Sequence, residues 1–460
     1  MYDHDIVILG AGTIGLSLAR YLVDAGHQDF LVIDLGNSAD FADNIKVNFP
    51  NEIYDGVNKG RVFGKGGTSC IWGGAFSVPN PNDLKKQFGN IEGTILDISK
   101  RSMEHLEKYF KIKLPKYNGT KKSKMFERVG VAWPHFWNRN TNKFLKNDTI
   151  SKNLVTGQFI KKIKQIDNVN QIYTVSQDGE EAIFRCNTVI CCLGSIETTR
   201  LLLASHVKNK LLGKNFHDHL SVKIAEGTIK NRRKFFKHYF MHINSWGFSS
   251  ERYVFDINNI RGFIHFAPVR QKGGGFELLR DISLSVQKGK LLIKTKITIE
   301  HLKFLWRFTR NLVINRVIIG DYDDKFEVYI VIDQSTLSDI NENQIVLDRD
   351  VLYLNWEKKN FLEKIDLIVE KAITHLIGPF SLKRIGIDIN DLTDVYHPAG
   401  TTPLSRCSLH GVVSANDGSV FNLPNVYICS TSMLSKIDNF SPTGVCILAG
   451  FEMLNKILAK

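Results

Sequence analysis

A histidine near the C-terminus, His397, has the setting expected of a general base. It lies in the segment YHPAGTT (396–402), where the proline and the glycine predict a rigid loop that presents one imidazole. An imidazole of near-neutral pKa is suited to accept the proton of a hydroxyl group. A surface histidine in an ordinary turn is the simpler interpretation, so the chemical one depends on the rest of the chain. We consider the downstream segment DNFSPT (438–443) together with this turn.

The other end of the chain carries the pattern of a dinucleotide-binding loop. Gly10, Gly12 and Gly15 form a GxGxxG motif between the apolar run 5–9 and apolar residues at helical spacing. A second apolar run ends at Asp34, 19 residues after Gly15, where a ribose-binding acid is expected. Glycines let the backbone approach a pyrophosphate, and the helix N-terminus offers N–H groups to its charge. The two ends of the chain would then form one site.

A glycine-rich loop follows at 60–74, with six glycines in fifteen residues. Such a loop exposes many backbone donors and little side-chain bulk, which suits a flat ring or a phosphate. A flexible surface linker is the alternative, but the interior Ile71 and Trp72 argue against it. We propose as cofactor contacts Arg61, Gly66, Gly67, Thr68, Ser69, Trp72 and Gly73.

The remaining elements are predicted from hydrophobic periodicity. The polar, lysine-rich stretch near 80–147 includes a helix at 98–110 and is predicted to be an excursion. Segments 151–160 and 188–195 have strand character, and a helix is predicted at 196–204. Alternating residues at 291–299 and 326–332 favour an antiparallel sheet. His217 and His219 suggest a metal site, but no third ligand has a suitable spacing, so we expect a structural role and no metal.

Composition indicates a large soluble protein of 460 residues, with 43% hydrophobic and 23% charged residues. No apolar run is long enough to span a membrane, and the first strand leaves no room for a signal peptide. Seven cysteines without CxxC spacing are typical of buried thiols in a reducing compartment. We therefore expect a cytoplasmic protein without disulfides or zinc.

The net charge of +13 is compatible with nucleic acid, a membrane surface or an anionic substrate as partner. No nucleic-acid-binding motif accompanies the charge. Two basic, aromatic segments, 232–237 and 301–308, carry part of it. A solvated face or a lid is the simplest interpretation, and peripheral contact with a membrane or an anionic substrate is the alternative.

Five separated motifs resemble those of the glucose-methanol-choline (GMC) family of flavin oxidoreductases, which includes sugar, alcohol and cholesterol oxidases. They are the three glycines of 10–15, the GGTS loop (66–69), TGQFI (156–160), GKNFHDH (213–219) and His397 in YHPAGT. The resemblance covers the flavin scaffold, about half of the chain, and says little about the substrate domain.

The resemblance implies an α/β fold with a discontinuous, Rossmann-like FAD-binding domain formed by 1–80, 148–225 and 393–460. A mainly antiparallel-sheet α+β substrate domain, 226–392, and an excursion or lid, 81–147, are inserted into it. Further cofactor contacts implied by the matching motifs are Ile160, Gly194, Ser430, Pro442 and Thr443. Members with covalently attached flavin carry a histidine just before the tryptophan of the loop. Ile71 occupies that place here, so we expect non-covalent FAD.

The reaction implied by the resemblance is oxidation of a CH–OH group. His397 would take the hydroxyl proton while hydride passes to N5 of the flavin. The second catalytic position of the family, usually His or Asn, matches Ser441 if Ser430-Thr431-Ser432 is aligned with the corresponding turn. Asn439 is the alternative. A neutral serine cannot stabilise charge as an imidazolium can.

The leading hypothesis is therefore an FAD-dependent alcohol oxidase or dehydrogenase for a sugar or polyol-like substrate. One alternative is action on a lipid or sterol alcohol at a membrane surface, which is supported only by the basic, aromatic segments. The other alternative is a protein that binds flavin and a partner but has no turnover, which is suggested by Ser441 at the second catalytic position. The particular alcohol, the electron acceptor (oxygen, a quinone or a carrier) and the oligomeric state stay open.

Overall fold

Two large β-sheets organise the chain in the computed structural model. The structure describes residues 3–36, 41, 44–77, 81–115, 125–230, 241–268, 275–288, 291, 293–315, 325–337, 342–358, 362–376 and 380–460. The strands are, in chain order, β1 (His4–Leu9), β2 (Phe30–Ile33), β3 (Val47–Asn48), β4 (Phe126–Trp133), β5 (Leu154–Val155), β6 (Gln158–Ile166), β7 (Val169–Ser176), β8 (Glu181–Cys191), β9 (His219–Ile229), β10 (His242–Asn244), β11 (Gly247–Ile257), β12 (Ile260–Pro268), β13 (Lys325–Asp333), β14 (Gln344–Asp348), β15 (Val351–Asn355), β16 (Phe380–Arg384), β17 (Thr393–Asp394), β18 (Leu404–Ser405), β19 (Val413–Ser414), β20 (Ser419–Val420) and β21 (Leu423–Ile428).

The α-helices accompany these strands throughout the described ranges. They are α1 (Thr13–Asp24), α2 (Pro81–Phe88), α3 (Lys100–Phe110), α4 (Phe136–Arg139), α5 (Asp148–Lys152), α6 (Gly194–Ala204), α7 (Gly275–Lys288), α8 (Ile299–Asn315), α9 (Leu362–Leu376) and α10 (Pro442–Leu458). None of the helices in these ranges has the length and apolar character needed to cross a membrane.

The first sheet has a parallel centre. Its order is β18-β19-β20-β21-β8-β1-β2-β5, and β7 joins β8 to β6. Strand β1 pairs in parallel with β2 and β8, so that Ile8 lies opposite Val32 and Ile190. Residues on both faces of β1 are buried, as expected of a parallel strand covered on two sides. Helix α1 returns from the end of β1 and packs against α10, where Tyr21 stacks on Phe451 with ring centroids 4.5 Å apart.

The second sheet is antiparallel and has the order β10-β11-β12-β13-β9-β16. Strand β4 pairs with β11 and strand β17 pairs with β9. The sheet thus includes strands from 126–133 and 393–394 as well as from the 226–392 segment. The domain limits proposed from the sequence remain a prediction. Strands β9 and β17 lead into the residues that form the candidate site.

The thiols follow the core of the first sheet. Cys186, Cys191, Cys192, Cys429 and Cys446 are buried free cysteines. Cys70 is partly exposed and Cys407 is exposed, and neither forms a disulfide within the described part of the chain. The five buried cysteines behave as small apolar side chains that fill the interior beside β8 and α10.

The strand predicted at 291–299 is wrong within the described part of that stretch, because helix α8 begins at Ile299 and no strand precedes it. Leu291 and Ile297 are 85% and 55% exposed, so their alternation reflects no buried sheet face. Segment 151–160 is not one strand either, since α5 ends at Lys152 and Gly157, with a φ of 80°, separates β5 from β6. The basic segment 232–237 lies outside the described residues.

Candidate active site

The three glycines after β1 have different structural roles. Gly10 has a φ of 100°, and an added Cβ would lie 2.9 Å from the carbonyl oxygen of Cys192. At Gly15 an added Cβ would lie 1.9 Å from the Gly10 carbonyl oxygen. Packing therefore requires glycine at both positions. A Cβ on Gly12 would have only the Cα of Gly67 nearby, at 4.0 Å, so this glycine leaves room for a ligand.

The N-terminus of α1 has unused donors beside Gly12. Among the described residues no side chain caps the helix, and the buried Oγ1 atom of Thr13 has no hydrogen-bond partner there. A buried polar group without a partner is unfavourable unless a ligand or water satisfies it. A pyrophosphate would accept hydrogen bonds from the free N–H groups and from this hydroxyl. The residues present thus fit the pyrophosphate of FAD.

Asp34 is buried at the end of β2 and holds the glycine loop. Its Oδ2 accepts the Ala11 N–H at 2.7 Å, and its Oδ1 accepts the Gly36 N–H at 2.8 Å. Burial raises the pKa of this carboxyl, and the two backbone hydrogen bonds oppose that shift. Each carboxylate oxygen retains acceptor capacity that a ribose hydroxyl can use. Asp34 is therefore placed both to fix the loop and to bind a ribose.

An open groove runs along this loop. It is lined by residues that were proposed from the sequence, namely Gly10, Gly12, Asp34, Gly67 and Ile160, and by others that were not, including Phe159, Glu197 and Arg200. Arg200 donates to Glu197 at 2.7 Å and to the carbonyl of Ile160 at 2.6 Å. Arg61 also pairs with Glu197, at 3.1 Å, so its guanidinium is engaged in a buried ion-pair network beside the groove.

The glycine-rich loop packs on the first glycine motif. Gly67, with a φ of 49°, approaches so closely that its added Cβ would lie 2.9 Å from the Cα of Gly12. Gly66 has a φ of 86°, and its added Cβ would lie 2.6 Å from the Oδ1 of Asn140. Thr68 is exposed on this loop. Gly66 and Gly67 are buried, and their N–H groups donate to the carbonyl oxygens of Ala11 and Gly64, so Thr68 is the exposed residue of this stretch.

Two other loop residues are engaged in the protein interior. The Ser69 hydroxyl donates to the Gly66 carbonyl at 2.6 Å and lies 3.0 Å from the Thr141 hydroxyl. Trp72 donates its indole N–H to the carbonyl of Arg139 at 3.1 Å and packs edge-on against Phe76 and Phe110. These side chains shape the loop from behind. Gly73, which is exposed, adjoins the ring of Trp133, 3.1 Å from an added Cβ.

The remaining proposed cofactor residues lie at element boundaries. Gly194 starts α6 with a φ of 77°, and no atom lies within 4 Å of an added Cβ. The Ser430 hydroxyl accepts the Ser432 N–H at 3.3 Å and caps a short turn. Pro442 is buried at the first position of α10, and Thr443 beside it is partly exposed. No side chain among the described residues caps α10, Pro442 has no N–H group, and the N–H groups of Gly444 and Val445 donate to the Ser441 carbonyl oxygen.

A buried carboxylate, Asp218, positions the His397 turn. Its Oδ1 accepts the N–H groups of His397 at 2.8 Å and His219 at 2.6 Å. Its Oδ2 accepts the Tyr396 N–H at 2.9 Å and the Tyr54 hydroxyl at 2.8 Å. Burial raises the pKa of Asp218 above its usual range, and these four donors limit the rise. Tyr396 has a φ of 67°, a strained conformation that the hydrogen bonds stabilise.

His397 forms a hydrogen-bonded pair with His219 whose protonation can be assigned from its neighbours. The Nε2 atom of His219 lies 2.6 Å from the Asp438 carbonyl oxygen, which can only accept, so Nε2 donates. In a neutral His219 the Nδ1 atom is then an acceptor. It lies 3.2 Å from Nδ1 of His397, which must donate. The network therefore leaves Nε2 of His397 with a free lone pair.

Both histidines of the pair are held in the neutral form. Burial lowers the pKa of His397 to about 3, and the nearby charges of His219 and Arg252 act in the same direction. Burial likewise lowers the pKa of His219 to about 4. At pH 7 the lone pair on His397 is therefore present in nearly every molecule. A base at this position needs no deprotonation before it acts.

Two candidates for the second catalytic group, Asn439 and Ser441, lie just beyond Asp438. The Ser441 hydroxyl accepts the Ser77 N–H at 3.2 Å and also lies 3.4 Å from the Ser77 hydroxyl. Asn439 is partly exposed, and its side chain makes no hydrogen bond to the described part of the chain. The carbonyl of Asp438 contacts His219, which brings this segment beside the histidine pair.

His217 and the possible metal ligands are part of the same framework. The Nδ1 of His217 lies 2.7 Å from the Asn215 carbonyl, and Gly400 packs against the ring. Asp218, His219 and His397 bring three potential ligand atoms within 4.8 Å of one another. Hydrogen bonds within the network engage the Nδ1 atoms of both histidines and the carboxyl oxygens of Asp218, whereas Nε2 of His397 keeps its free lone pair. The geometry is that of a proton-holding network.

Helix α6 links the histidine turn to the cofactor groove. Thr401 of the turn contacts the Ser195 hydroxyl at 3.0 Å and the Thr199 hydroxyl at 2.7 Å, both on α6. The same helix carries Glu197 and Arg200, which line the groove. The two ends of the chain thus meet through α6. The sequence did not indicate the roles of these α6 residues, because an i,i+3 acid–base pair on a helix is usually a surface pair, whereas Glu197 and Arg200 are buried here.

Comparisons with known proteins support this architecture. No protein-family model and no curated protein matches the sequence. Among solved structures, a pyridoxine 4-oxidase from Mesorbium loti is similar over 100% of both chains, with a TM-score of 0.59 and 14% identity. A formate oxidase is similar over 99% of this chain and 98% of its own, with a TM-score of 0.57 and 13% identity. A variant formate oxidase from Aspergillus oryzae RIB40, studied for FAD modification, gives the same values.

Identities this low establish the fold alone. The similarity extends over both sheets and confirms the predicted fold class, a Rossmann-like α/β scaffold with an additional sheet-based region. The chain has the fold of the glucose-methanol-choline oxidoreductases.

Proposed function

We propose that the protein is an FAD-dependent oxidoreductase that oxidises the CH–OH group of an alcohol. The observation that carries the proposal is the neutral histidine pair, which leaves Nε2 of His397 as a free base. The histidine pair belongs to a fold in which the glycine loop after β1 leaves space for a pyrophosphate and offers it hydrogen-bond donors. A sugar or polyol-like substrate is our working choice, taken from the family resemblance. The direct test is anaerobic bleaching of the purified flavoprotein by candidate alcohols.

Different residues along the groove would bind different parts of FAD. Gly12, Thr13 and the N-terminus of α1 would bind the pyrophosphate, and Asp34 would bind the adenosine ribose. The glycine-rich loop near the exposed Thr68 and the N-terminus of α10 would adjoin the flavin ring. When bound, FAD supplies a hydride acceptor. Every other step falls to the residues of this chain.

The proton of the substrate hydroxyl would pass to Nε2 of His397. The Nδ1–H of His397 would keep donating to His219, which fixes the ring and its tautomer. His219 in turn stays anchored by its own hydrogen bond to the Asp438 carbonyl. His397 would thus act as the base, and His219 and Asp218 as positioning residues. Release of the proton afterwards is easy, because burial keeps the pKa of His397 low.

We expect Asn439→Ala to slow flavin reduction more than Ser441→Ala does. The Asn439 amide has no partner in the described part of the chain, so it is free to hold the substrate oxygen, whereas Ser77 occupies the Ser441 hydroxyl. A neutral hydrogen bond contributes about 0.5–1.5 kcal/mol, which corresponds to at most roughly a tenfold change. The measurement is the anaerobic reduction rate of each FAD-loaded variant. A larger loss in the serine variant would reverse the assignment.

We expect FAD to be bound without a covalent link. Ile71 has no nucleophilic atom and lies at the loop position where a histidine would be needed. Acid or heat should therefore release free FAD into the supernatant, where its absorbance and chromatographic mobility identify it. Yellow colour that stays with the precipitated, washed polypeptide would contradict this expectation.

A second candidate function, action on a lipid or sterol alcohol at a membrane surface, is favoured by one observation. Helix α8 exposes a set of apolar side chains, Ile299, Leu302, Trp306 and Val313, which are 71%, 58%, 65% and 71% exposed. Lys303, Arg307 and Arg310 lie among them. Basic and apolar residues on one exposed helix face are typical of binding to anionic lipid interfaces. Helix α8 packs on α7, whose Gln287 donates to the Trp72 carbonyl of the glycine-rich loop at 3.1 Å.

Sedimentation with vesicles tests this second candidate. We expect wild-type protein to sediment with vesicles rich in phosphatidylserine at low salt, and less at high salt, because screening weakens the attraction. Trp306→Ser should weaken binding by about tenfold, since burial of a large apolar side chain contributes about 1.5–3 kcal/mol. Leu409→Ser, which removes another apolar residue that is 80% exposed, is the control. Equal loss in both variants, or no binding by the wild type, would exclude a specific role for α8.

A further inference from the structure

A buried arginine beside the histidine pair has no acidic partner. Arg252 lies on β11 and is only 8% exposed. It donates to the Ser77 hydroxyl and lies over the Phe263 ring, 4.2 Å from the centroid. No carboxylate among the described residues pairs with it, and its Nε–H has no acceptor. Burial lowers the pKa of Arg252 to about 9, which leaves the guanidinium charged at pH 7.

Other buried arginines in the described ranges are satisfied differently. Arg61 and Arg200 share Glu197, and Arg261 pairs with Asp438 at 3.2 Å. Arg139 also has no carboxylate, but its Nε–H donates to a backbone carbonyl at 3.1 Å. Arg252 alone in this comparison combines an uncompensated charge with an unused Nε–H. A buried charge without a partner is strongly unfavourable, so a ligand that supplies the missing anion is expected.

The position of Arg252 connects this charge to the candidate chemistry. The Phe263 ring that it covers also contacts His219, with ring centroids 5.9 Å apart. The charge of Arg252 acts on His219 and on His397. Its hydrogen-bond partner Ser77 contacts Ser441 at the start of α10. The guanidinium therefore lies within the group of residues that would surround a substrate hydroxyl.

An anion at Arg252 would also assist proton transfer. A proton on His397 creates an imidazolium close to the guanidinium, and two like charges in a buried site repel. A substrate anion bound to Arg252 would offset that repulsion. The planar guanidinium fork matches a carboxylate with two parallel hydrogen bonds.

We propose that Arg252 binds a carboxylate of the substrate, so that the alcohols oxidised at this site are hydroxy acids or similar carboxylate-bearing alcohols. This proposal rests on the proposed function and replaces its neutral polyol with an anionic substrate class. Arg252 comes from the second sheet and contacts Ser77 of the predicted flavin scaffold, so it would act as a specificity residue where the two regions adjoin.

The test compares two small carboxylates with a neutral diol of similar size. FAD-loaded wild-type protein, R252M, R252K and the control R139M are titrated with acetate, glycolate and neutral ethylene glycol, and the flavin absorbance change gives each Kd. We expect R252M to weaken acetate and glycolate by about 10- to 100-fold, as for a lost charged hydrogen bond, with ethylene glycol unchanged. R252K keeps the charge without the fork and should lie between. R139M should bind all three ligands like the wild type.

Several outcomes would overturn the proposal. These are an unchanged Kd for acetate in R252M, an equal weakening of ethylene glycol, and tighter binding of inorganic phosphate than of acetate by the wild type. Loss of FAD from both R252M and R252K would instead assign the arginine to the cofactor. If R252M does not fold, the R252K variant tests the proposal. A Kd for acetate in R252K equal to that of the wild type would exclude bidentate binding by the guanidinium. The titration needs no turnover, so absence of flavin bleaching by every alcohol would count against the oxidase function alone.

Discussion

Replacement of His397 by alanine is expected to slow anaerobic flavin reduction by at least about 100-fold, with FAD still bound. General-base catalysis typically contributes about 10²- to 10⁴-fold, and the structure leaves the Nε2 lone pair of His397 free for this role. Asp218 binds the backbone N–H of residue 397, which the substitution retains, so the turn should stay intact. The measurement is stopped-flow absorbance with a verified substrate. Flavin content is determined in parallel.

His410→Ala serves as the matched control, since this histidine is exposed on the segment that follows the turn. It should leave the reduction rate unchanged. A His397→Ala protein that is fully loaded with FAD and reduces at the wild-type rate would reduce the 396–402 segment to an ordinary turn.

The pH profile of the wild-type enzyme gives an independent check on the same residue. The pKa of His397 is lowered from its ordinary value near 6.5 to about 3, so the base stays neutral as the pH falls from 8 to 5. Protonation of His397 should therefore cause no fall over this range in the ratio of reduction rate to substrate Kd, which reports the free enzyme. Burial raises the pKa of Asp218 to about 8 and that of Asp438 to about 7, so a step in this range is expected from these carboxyl groups. A fall near pH 6.5 that persists in Asp438→Asn would show that the imidazole is not held as the structure indicates.

Replacement of Asp34 by alanine is expected to weaken FAD retention by about 10- to 100-fold. The variant loses the ribose acceptor and also leaves the N–H groups of Ala11 and Gly36 without their partner. Each buried donor left unpaired costs about 1–3 kcal/mol, so the glycine loop itself should loosen. Equilibrium dialysis or fluorescence titration of the apoprotein with FAD measures the effect. Circular dichroism establishes that the rest of the fold persists.

Asp29→Ala is the control for this prediction, because Asp29 is an exposed acid just before β2. It should bind FAD like the wild type. Asp34→Asn keeps one carbonyl acceptor and should fall between the alanine variant and the wild type. Unchanged FAD affinity in Asp34→Ala would mean that the end of β2 does not contact the cofactor.

Local sequence patterns predicted the structure correctly where they reflect backbone geometry. The turn after β1 was predictable because Gly10 has a φ of 100° and Gly15 packs on the Gly10 carbonyl, and both requirements act within a few residues. The helix predicted at 98–110 is observed as Lys100–Phe110, with Ser99 as its N-cap. The strand predicted at 291–299 failed because alternation alone does not show whether a neighbouring strand exists. Those residues are exposed and precede a helix.

The sequence by itself determined the βα dinucleotide loop, the order of the flavin-scaffold motifs and the identity of His397 as the candidate base. Only the tertiary structure decided how that base is held. His219 and His397 are 178 residues apart, and Asp218 collects donors from three separate segments. Arg252 reaches the same place from a strand of the second sheet. Such contacts depend on strand register and on packing between sheets, whereas hydrophobic periodicity reports only which face of each element is buried.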